Sequence, residues 1–296
     1  MDHVVTLIAA PAALERALVD RVEAALAAAG ARVGAADWLA EGEACDLPFD
    51  GLDPLRAGAL ARNALEGAPV DLGVVARAGR RKRLLVADME STIIAEEMLD
   101  ELAARLGIAA QVAPITAQAM NGELDFAEAL RARVGLLAGQ PASLLEEMAA
   151  GLTLNPGART LVQTLRAQGV VTALVSGGFT CFTEPVGAAC GFDRRQANRL
   201  VIEDGRLTGE VAAPILDRAA KRQALEALAA ETGLELEASC AVGDGANDLD
   251  LISAAGLGVG YRPKAALRRA ADVAVDHGDL TALLYLQGYR KAEFKD

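Results

Sequence analysis

Reading from residue 4, short apolar runs alternate with longer segments in which Ala and Leu recur every three or four positions. Residues 4–8 (VVTLI) have the length and β-branched content of a strand, and residues 12–29 carry the helical period until Gly30 stops it. Residues 32–38 form a second strand candidate, followed by a connection containing Gly, Asp and Pro. A helix over 55–65 and a strand over 71–75 complete two βαβ-like halves. That order predicts a small ferredoxin-like α+β domain over residues 1–78, with helices layered on an antiparallel sheet. The basic stretch 77–83 (RAGRRKR) marks the boundary to a second domain over 79–296.

Beyond the boundary the pattern changes. Residues 83–88 (RLLVAD) and 170–175 (VVTALV) are nearly unbroken apolar runs, as in a parallel strand buried on both faces. Between them, residues 96–150 are helical in pattern, with breaks at Gly107, Gly122 and Gly139-Gln140-Pro141. Asp204-Gly205 predicts a hairpin with a type I′ turn over 200–210. A helix over 218–232, a strand over 239–242, a helix over 248–255 and strands at 257–260 and 272–275 follow. Strands separated by helices predict an α/β domain with a doubly wound, Rossmann-type parallel sheet and a helical cap inserted at about 96–150.

Composition limits the chemistry more than the architecture. The chain has 296 residues, 52% of them hydrophobic and only 3% aromatic, so Ala, Leu, Val and Ile must build the core. A net charge of -12 disfavours nucleic acid and anionic membrane surfaces as partners. Four scattered cysteines without a CxxC spacing read as reduced thiols rather than a zinc site or a disulfide framework. The start, Met1-Asp2-His3, lacks the features of a signal peptide, and no apolar run approaches a membrane span, so the cytoplasm is the expected location. The histidines are His3 and His277, one near each end, which leaves acid–base and metal chemistry to carboxylates.

In doubly wound sheets ligands bind at the carboxyl ends of the strands, and three strands here end in Asp88, Ser176 and Asp244. Asp88 opens Asp88-Met89-Glu90-Ser91-Thr92; an ionised aspartate is a workable nucleophile, and equally a helix cap. Gly243-Asp244-Gly245-Ala246-Asn247-Asp248 sets two carboxylates four residues apart around an amide, a more specific combination than a plain turn. Asp88, Glu90, Asp244 and Asp248 in one crevice would repel, at roughly 4 kcal/mol for each pair about 4 Å apart. A hard divalent cation resolves this, and Mg²⁺ suits a neighbouring phosphate. Ser176-Gly177-Gly178 offers a hydroxyl and backbone N–H groups to an anion, or a tight turn. Lys221 could add a compact positive charge, though on its own it reads as a surface lysine.

The set DxxST, SGG, Lys and GDGxND, in this order, resembles the haloacid dehalogenase superfamily and, within it, the phosphoserine phosphatases, over residues 83–284. The stretches Pro114 to Gly122, Leu124-Asp125-Phe126, Leu130 to Val134, Val175 to Phe179 and Ala197 to Leu200 are similar to that family as well. The resemblance implies Mg²⁺-dependent hydrolysis of O-phospho-L-serine, the last step of serine biosynthesis, through an aspartyl-phosphate. It implies Asp88 as nucleophile and metal ligand, and Glu90 as acid then base with its carbonyl at the metal. Asp244 and Asp248 would complete the metal site, while Ser176, Gly177, Lys221 and Asn247 would hold the phosphoryl group. Glu97 would meet the substrate ammonium and Arg133 its carboxylate, with Met120 and Phe126 on the apolar side; otherwise Glu97 and Arg133 are solvated helix charges. The family usually has Asp where Glu90 stands, whereas Glu resembles a related branch that passes the phosphoryl group to homoserine, so phosphoserine:homoserine phosphotransfer, or hydrolysis of another small phosphoester, is the enzymatic alternative. A noncatalytic amino-acid sensor is the alternative of another class. The first domain resembles the ACT-like extension of some bacterial members, which implies a homodimer surface or a stabilising appendage in preference to a regulatory amino-acid site.

Overall fold

The computed structural model describes residues 1–120 and 123–296, with the side chain of Met120 outside the described residues. The first unit runs β1 (His3–Ile8), α1 (Arg16–Ala28), β2 (Arg32–Val33), β3 (Asp37–Ala40), β4 (Ala44–Asp50), α2 (Pro54–Ala64) and β5 (Asp71–Ala76). Its antiparallel sheet has the order β2-β4-β1-β5, with β3 also on β4. One face of the sheet, with Val5, Leu7, Cys45, Leu47 and Phe49, packs on Val19, Val22 and Leu26 of α1 and on Ala57 and Ala61 of α2.

Two local expectations change here. The first helix begins at Arg16 rather than residue 12, because Ala12 sits at φ 62° in a preceding turn. The expected connection after Trp38 contains β4, which pairs with β1 over its whole length. Its polar and proline positions hid it, because Asp46 and Pro48 point away from the helices.

The second unit opens with β6 (Leu84–Ala87). The cap helices follow: α3 (Met98–Arg105), α4 (Ala109–Met120), α5 (Phe126–Gly135) and α6 (Ser143–Ala149). Next come α7 (Ala158–Ala167), β7 (Val171–Phe179), α8 (Thr180–Cys190), β8 (Arg194–Asn198), β9 (Leu200–Glu203), β10 (Arg206–Val211) and α9 (Arg218–Thr232). The chain ends with β11 (Ser239–Gly243), α10 (Leu249–Ala254), β12 (Gly258–Tyr261), α11 (Ala265–Ala270), β13 (Val273–Val275) and α12 (Ala282–Leu286). Strands β6, β7, β8, β11, β12 and β13 form one parallel sheet in the order β13-β12-β11-β6-β7-β8. The chain leaves central β6 in one direction, then returns to β11 and proceeds in the other. The switch point therefore lies between β6 and β11, where a crevice opens at their carboxyl ends.

Strand β8 (RRQAN) is a polar, exposed edge that carries no apolar run to detect. The β9–β10 hairpin turns through Asp204 and Gly205, both at positive φ, as a type I′ turn requires. It is stitched to the cap: Gly139 N donates to Leu207 O at 2.8 Å, and Leu207 N to Gln140 O at 2.9 Å. The cap thus draws on two separate stretches of sequence.

The free face of the first sheet closes onto α12 and β13. Ile8, Ala44, Leu283, Tyr285 and Leu286 belong to one buried apolar cluster that crosses the two units. At Gly73 any side chain would collide, since a Cβ would lie 2.3 Å from Leu286 Cδ2. Asp71 accepts from the backbone N–H groups of Asp276, His277 and Gly278. Arg80 forms a buried pair with Asp46 and donates to the carbonyls of Leu286 and Tyr285. No helix among the described residues is long and apolar enough to cross a membrane.

Candidate active site

Strand β6 ends at Ala87, and residues Met89–Ile93 then wind through one wide turn in which Ser91 takes φ 53°. Asp88 stands at the junction, 3% exposed. Its carboxylate caps the start of that turn and faces the crevice at the same time. It accepts from Met89 N at 2.7 Å, pairs with Lys221 Nζ at 2.7 Å and accepts from Asn247 Nδ2 at 3.2 Å. Of the two readings of Asp88, the cap is present at Met89 N, and the same carboxylate also faces Lys221 and Asn247.

Asp244 follows β11, and Asp248 closes the short turn Ala246–Asp248 that leads into α10. Each of Asp88, Asp244 and Asp248 offers a carboxylate oxygen within 4.8 Å of the others. Asp248 also accepts from Asp244 N and Gly245 N, which fixes its rotamer, and pairs with Lys221 at 2.6 Å. Lys221, expected at the surface if it had no role, is 1% exposed. It projects from α9 between two acids, an arrangement that burial would not permit without both partners.

The charges do not balance. Burial first, then Asp248, raises the pKa of the Asp88 carboxyl well above the usual range, and Lys221 only partly opposes this. Burial alone would lower the Lys221 pKa, but Asp248 and Asp88 outweigh it and raise it. Glu90 is pushed up to about 7, by burial and then by Glu97. Three carboxylates with oxygen donors, no thiolate or imidazole among them, and an uncompensated negative charge fit a small hard divalent cation.

Glu90 stands outside that group of three. Its Oε1 accepts from Met98 N in the first turn of the cap helix α3 at 3.2 Å. A Cβ on Gly178 would lie 2.8 Å from the same oxygen, so the absence of a side chain at 178 makes room for the longer acid. Ser176, Gly177 and Gly178 end β7, a strand longer than its apolar run predicts, and Gly178 N donates to Ser176 Oγ at 2.9 Å. Asn198 clamps this segment by donating to Gly177 O at 2.8 Å while Leu216 N donates to Asn198 Oδ1 at 2.7 Å.

From the cap, Phe126 reaches down until its Cζ would lie 3.2 Å from a Cβ on Gly177. Glu97 Oε1 accepts from Ser91 Oγ at 2.8 Å. Arg133 is half-buried and donates to Ala129 O at 3.2 Å. Burial lowers its pKa, while Asp100, Glu90 and Glu97 act to raise it. Met120 cannot be placed with these, because its side chain lies outside the described residues.

Three polar residues near the site carried no signal of their own in the sequence. Asn198 lies in a polar edge strand, and Asn155 reads as turn punctuation. Asn155 Nδ2 in fact donates to Thr92 O at 2.8 Å and Ile94 O at 3.0 Å, tying together the two segments that join cap and core. Lys264 pairs with Asp244 at 2.9 Å and lies 3.6 Å from Glu97. A cleft of about 660 Å³ lies at the other end of the sheet, where Arg166 pairs with Asp193 and Arg194 with Glu231.

A model of the haloacid dehalogenase-like hydrolases matches residues 85–253. A phosphoserine phosphatase of Streptomyces coelicolor is 46% identical over 243 residues, 81% of this chain and 59% of that protein. The chain therefore spans little more than half the length of this curated relative. A probable phosphoserine phosphatase structure from Vibrio cholerae superposes with TM-score 0.80 at 30% identity, over 99% of this chain and 88% of that one. A phosphoserine phosphatase captured as a phospho-aspartyl intermediate analogue matches with TM-score 0.64 at 38% identity, over 69% of this chain and 98% of that one.

Proposed function

The chain belongs to the haloacid dehalogenase-like hydrolase family, which it shares with the phosphoserine phosphatases, and on that premise we propose that it hydrolyses O-phospho-L-serine to L-serine and phosphate. The observation that carries the reading is the convergence of Asp88, Asp244 and Asp248, distant in sequence, around one point with Lys221 bridging two of them.

Asp88 attacks phosphorus in line with the serine oxygen while Glu90 gives that oxygen a proton. Glu90 then takes a proton from water, which cleaves the aspartyl-phosphate and restores Asp88. Lys221, Ser176, Gly177 and Asn247 hold the phosphoryl oxygens through both steps. Glu97 and Arg133 take the ammonium and carboxylate of the amino acid, and Phe126 covers the apolar side. Asp88, Asp244 and Asp248, with the Glu90 carbonyl, would hold a divalent cation such as Mg²⁺, which would supply positive charge to the transferred group. The cap excludes water from the first step. The same reading places the protein in the cytoplasm, in serine biosynthesis. It divides the chain at about residue 78 and makes the ACT-like first unit a surface for a homodimer.

Phosphate release from phosphoserine by wild type and Asp88→Asn, each with Mg²⁺ or a chelator, tests the proposal. Activity is expected in wild type with metal and nowhere else; full activity of the Asn variant removes the covalent route. Glu90, where the family usually has Asp, favours one second reading: transfer of the phosphoryl group to a small alcohol. Adding homoserine and finding less free phosphate per serine formed would select it.

A further inference from the structure

Lys264 has no part in the chemistry above, yet it touches that chemistry at two points. It follows β12, immediately before α11. Its backbone N–H donates to Asp244 O at 2.8 Å, and its stem passes over Gly245, where a Cβ would lie 3.8 Å from Lys264 Cδ. Its Nζ stands 2.9 Å from Asp244 Oδ2 and 3.6 Å from Glu97 Oε1. Asp244 belongs to the three-carboxylate group of the core, and Glu97 precedes the first cap helix. One ammonium therefore joins the floor of the site to its cover.

The two lysines of the site differ in a way that decides what each can do. Lys221 is 1% exposed and locked between Asp88 and Asp248; it cannot leave without stranding two buried acids. The Lys264 side chain is 64% exposed on a flexible stem, so its ammonium can return to water at small cost. The acids it touches are those the proposed function assigns to a divalent cation and to a substrate ammonium.

We propose that Lys264 is a displaceable internal cation. In the free protein its ammonium is shared between Asp244 and Glu97 and pins the cap, and it yields both acids when a divalent cation and an ammonium-bearing phosphoester arrive. This rests on the proposed function of the same site and deepens it. Lys264 is a positioning residue that acts through Asp244 and Glu97. It competes with incoming positive charge, and it shields Glu97 when a phosphoester without an ammonium enters. Its removal has opposite consequences for the two ligand classes: cations bind more tightly, whereas a phosphoester without an ammonium meets a bare carboxylate.

The test uses the full chain with Lys264→Met and Lys264→Arg. The first readout is the Mg²⁺ concentration that half-saturates the rise in melting temperature, without substrate. Lys264→Met is expected to lower that concentration about two- to fivefold, the scale of an exposed ion pair, and Lys264→Arg to restore it. The second readout is KM. For phosphoserine it should fall in Lys264→Met by a similar factor. For 3-phosphoglycerate, which carries a hydroxyl in place of the ammonium, it should stay level or rise. An unchanged or higher Mg²⁺ half-point in Lys264→Met, or parallel KM shifts for both substrates, overturns the proposal. A wild type whose melting temperature ignores Mg²⁺ overturns the metal reading of the site itself, which separates the two failures.

Discussion

Asp88 is pulled by Lys221, Asn247 and the Met89 amide at once, and that competition fixes one carboxylate geometry at the end of β6. Asp88→Asn keeps the shape and discards the charge, so kcat should fall about a thousandfold or more while the melting temperature stays within a few degrees. Glu90 offers a sharper test. Its longer side chain is met by Met98 N on one side and by the open space over Gly178 on the other. Shortening it to the family's usual residue, Glu90→Asp, should therefore reduce kcat by about a hundredfold rather than improve it, measured on phosphoserine at saturating Mg²⁺. Asp88 and Asp244 were legible in the sequence because they sit directly after apolar runs, whereas Lys221, inside a polar helix, was singled out only by the family resemblance. Lys264 was not, since a lysine after Pro263 in a surface turn looks like any solvated charge until Asp244 and Glu97 are placed beside it.

At the scale of elements, the strands with apolar runs were legible and those without were not. β6 and β11 are buried on both faces and announce themselves. β8 has an exposed, charged edge, and β4 spends alternate positions on the other unit, where Asp46 meets Arg80. The same blindness explains the cap, whose helices were read as one insertion although the β9–β10 hairpin is bonded to them. Two predictions belong here. Gly178→Ala puts a methyl against Glu90 Oε1; the carboxylate must swing away, so kcat should drop at least tenfold with little change in melting temperature. Asn155→Ala strips the hydrogen bonds from Thr92 O and Ile94 O where cap and core meet. Leaving those carbonyls unsatisfied should cost about 1–3 kcal/mol in chemical denaturation and raise KM for phosphoserine.

At the scale of the molecule, the order of elements is enough to read two units, but not how they meet. The contact includes Gly73, Asp46, Asp71, Arg80 and Thr6, whose hydroxyl accepts from Arg80 at 2.7 Å, and their pattern says nothing about a partner until the second unit is in place. Arg80→Ala would leave Asp46 buried without its cation and should destabilise the chain by about 3–5 kcal/mol, read by urea unfolding. The apolar cluster running through Ile8, Ala44, Leu283, Tyr285 and Leu286 reaches further. In the arginine-rich segment between the units Arg77 is exposed to trypsin while Arg80 is anchored, so a cut after Arg77 severs only the covalent tether. Nicked protein should travel through a sizing column as one particle, and its two pieces should part only in denaturant, because the small unit forms one wall of the large one's interior.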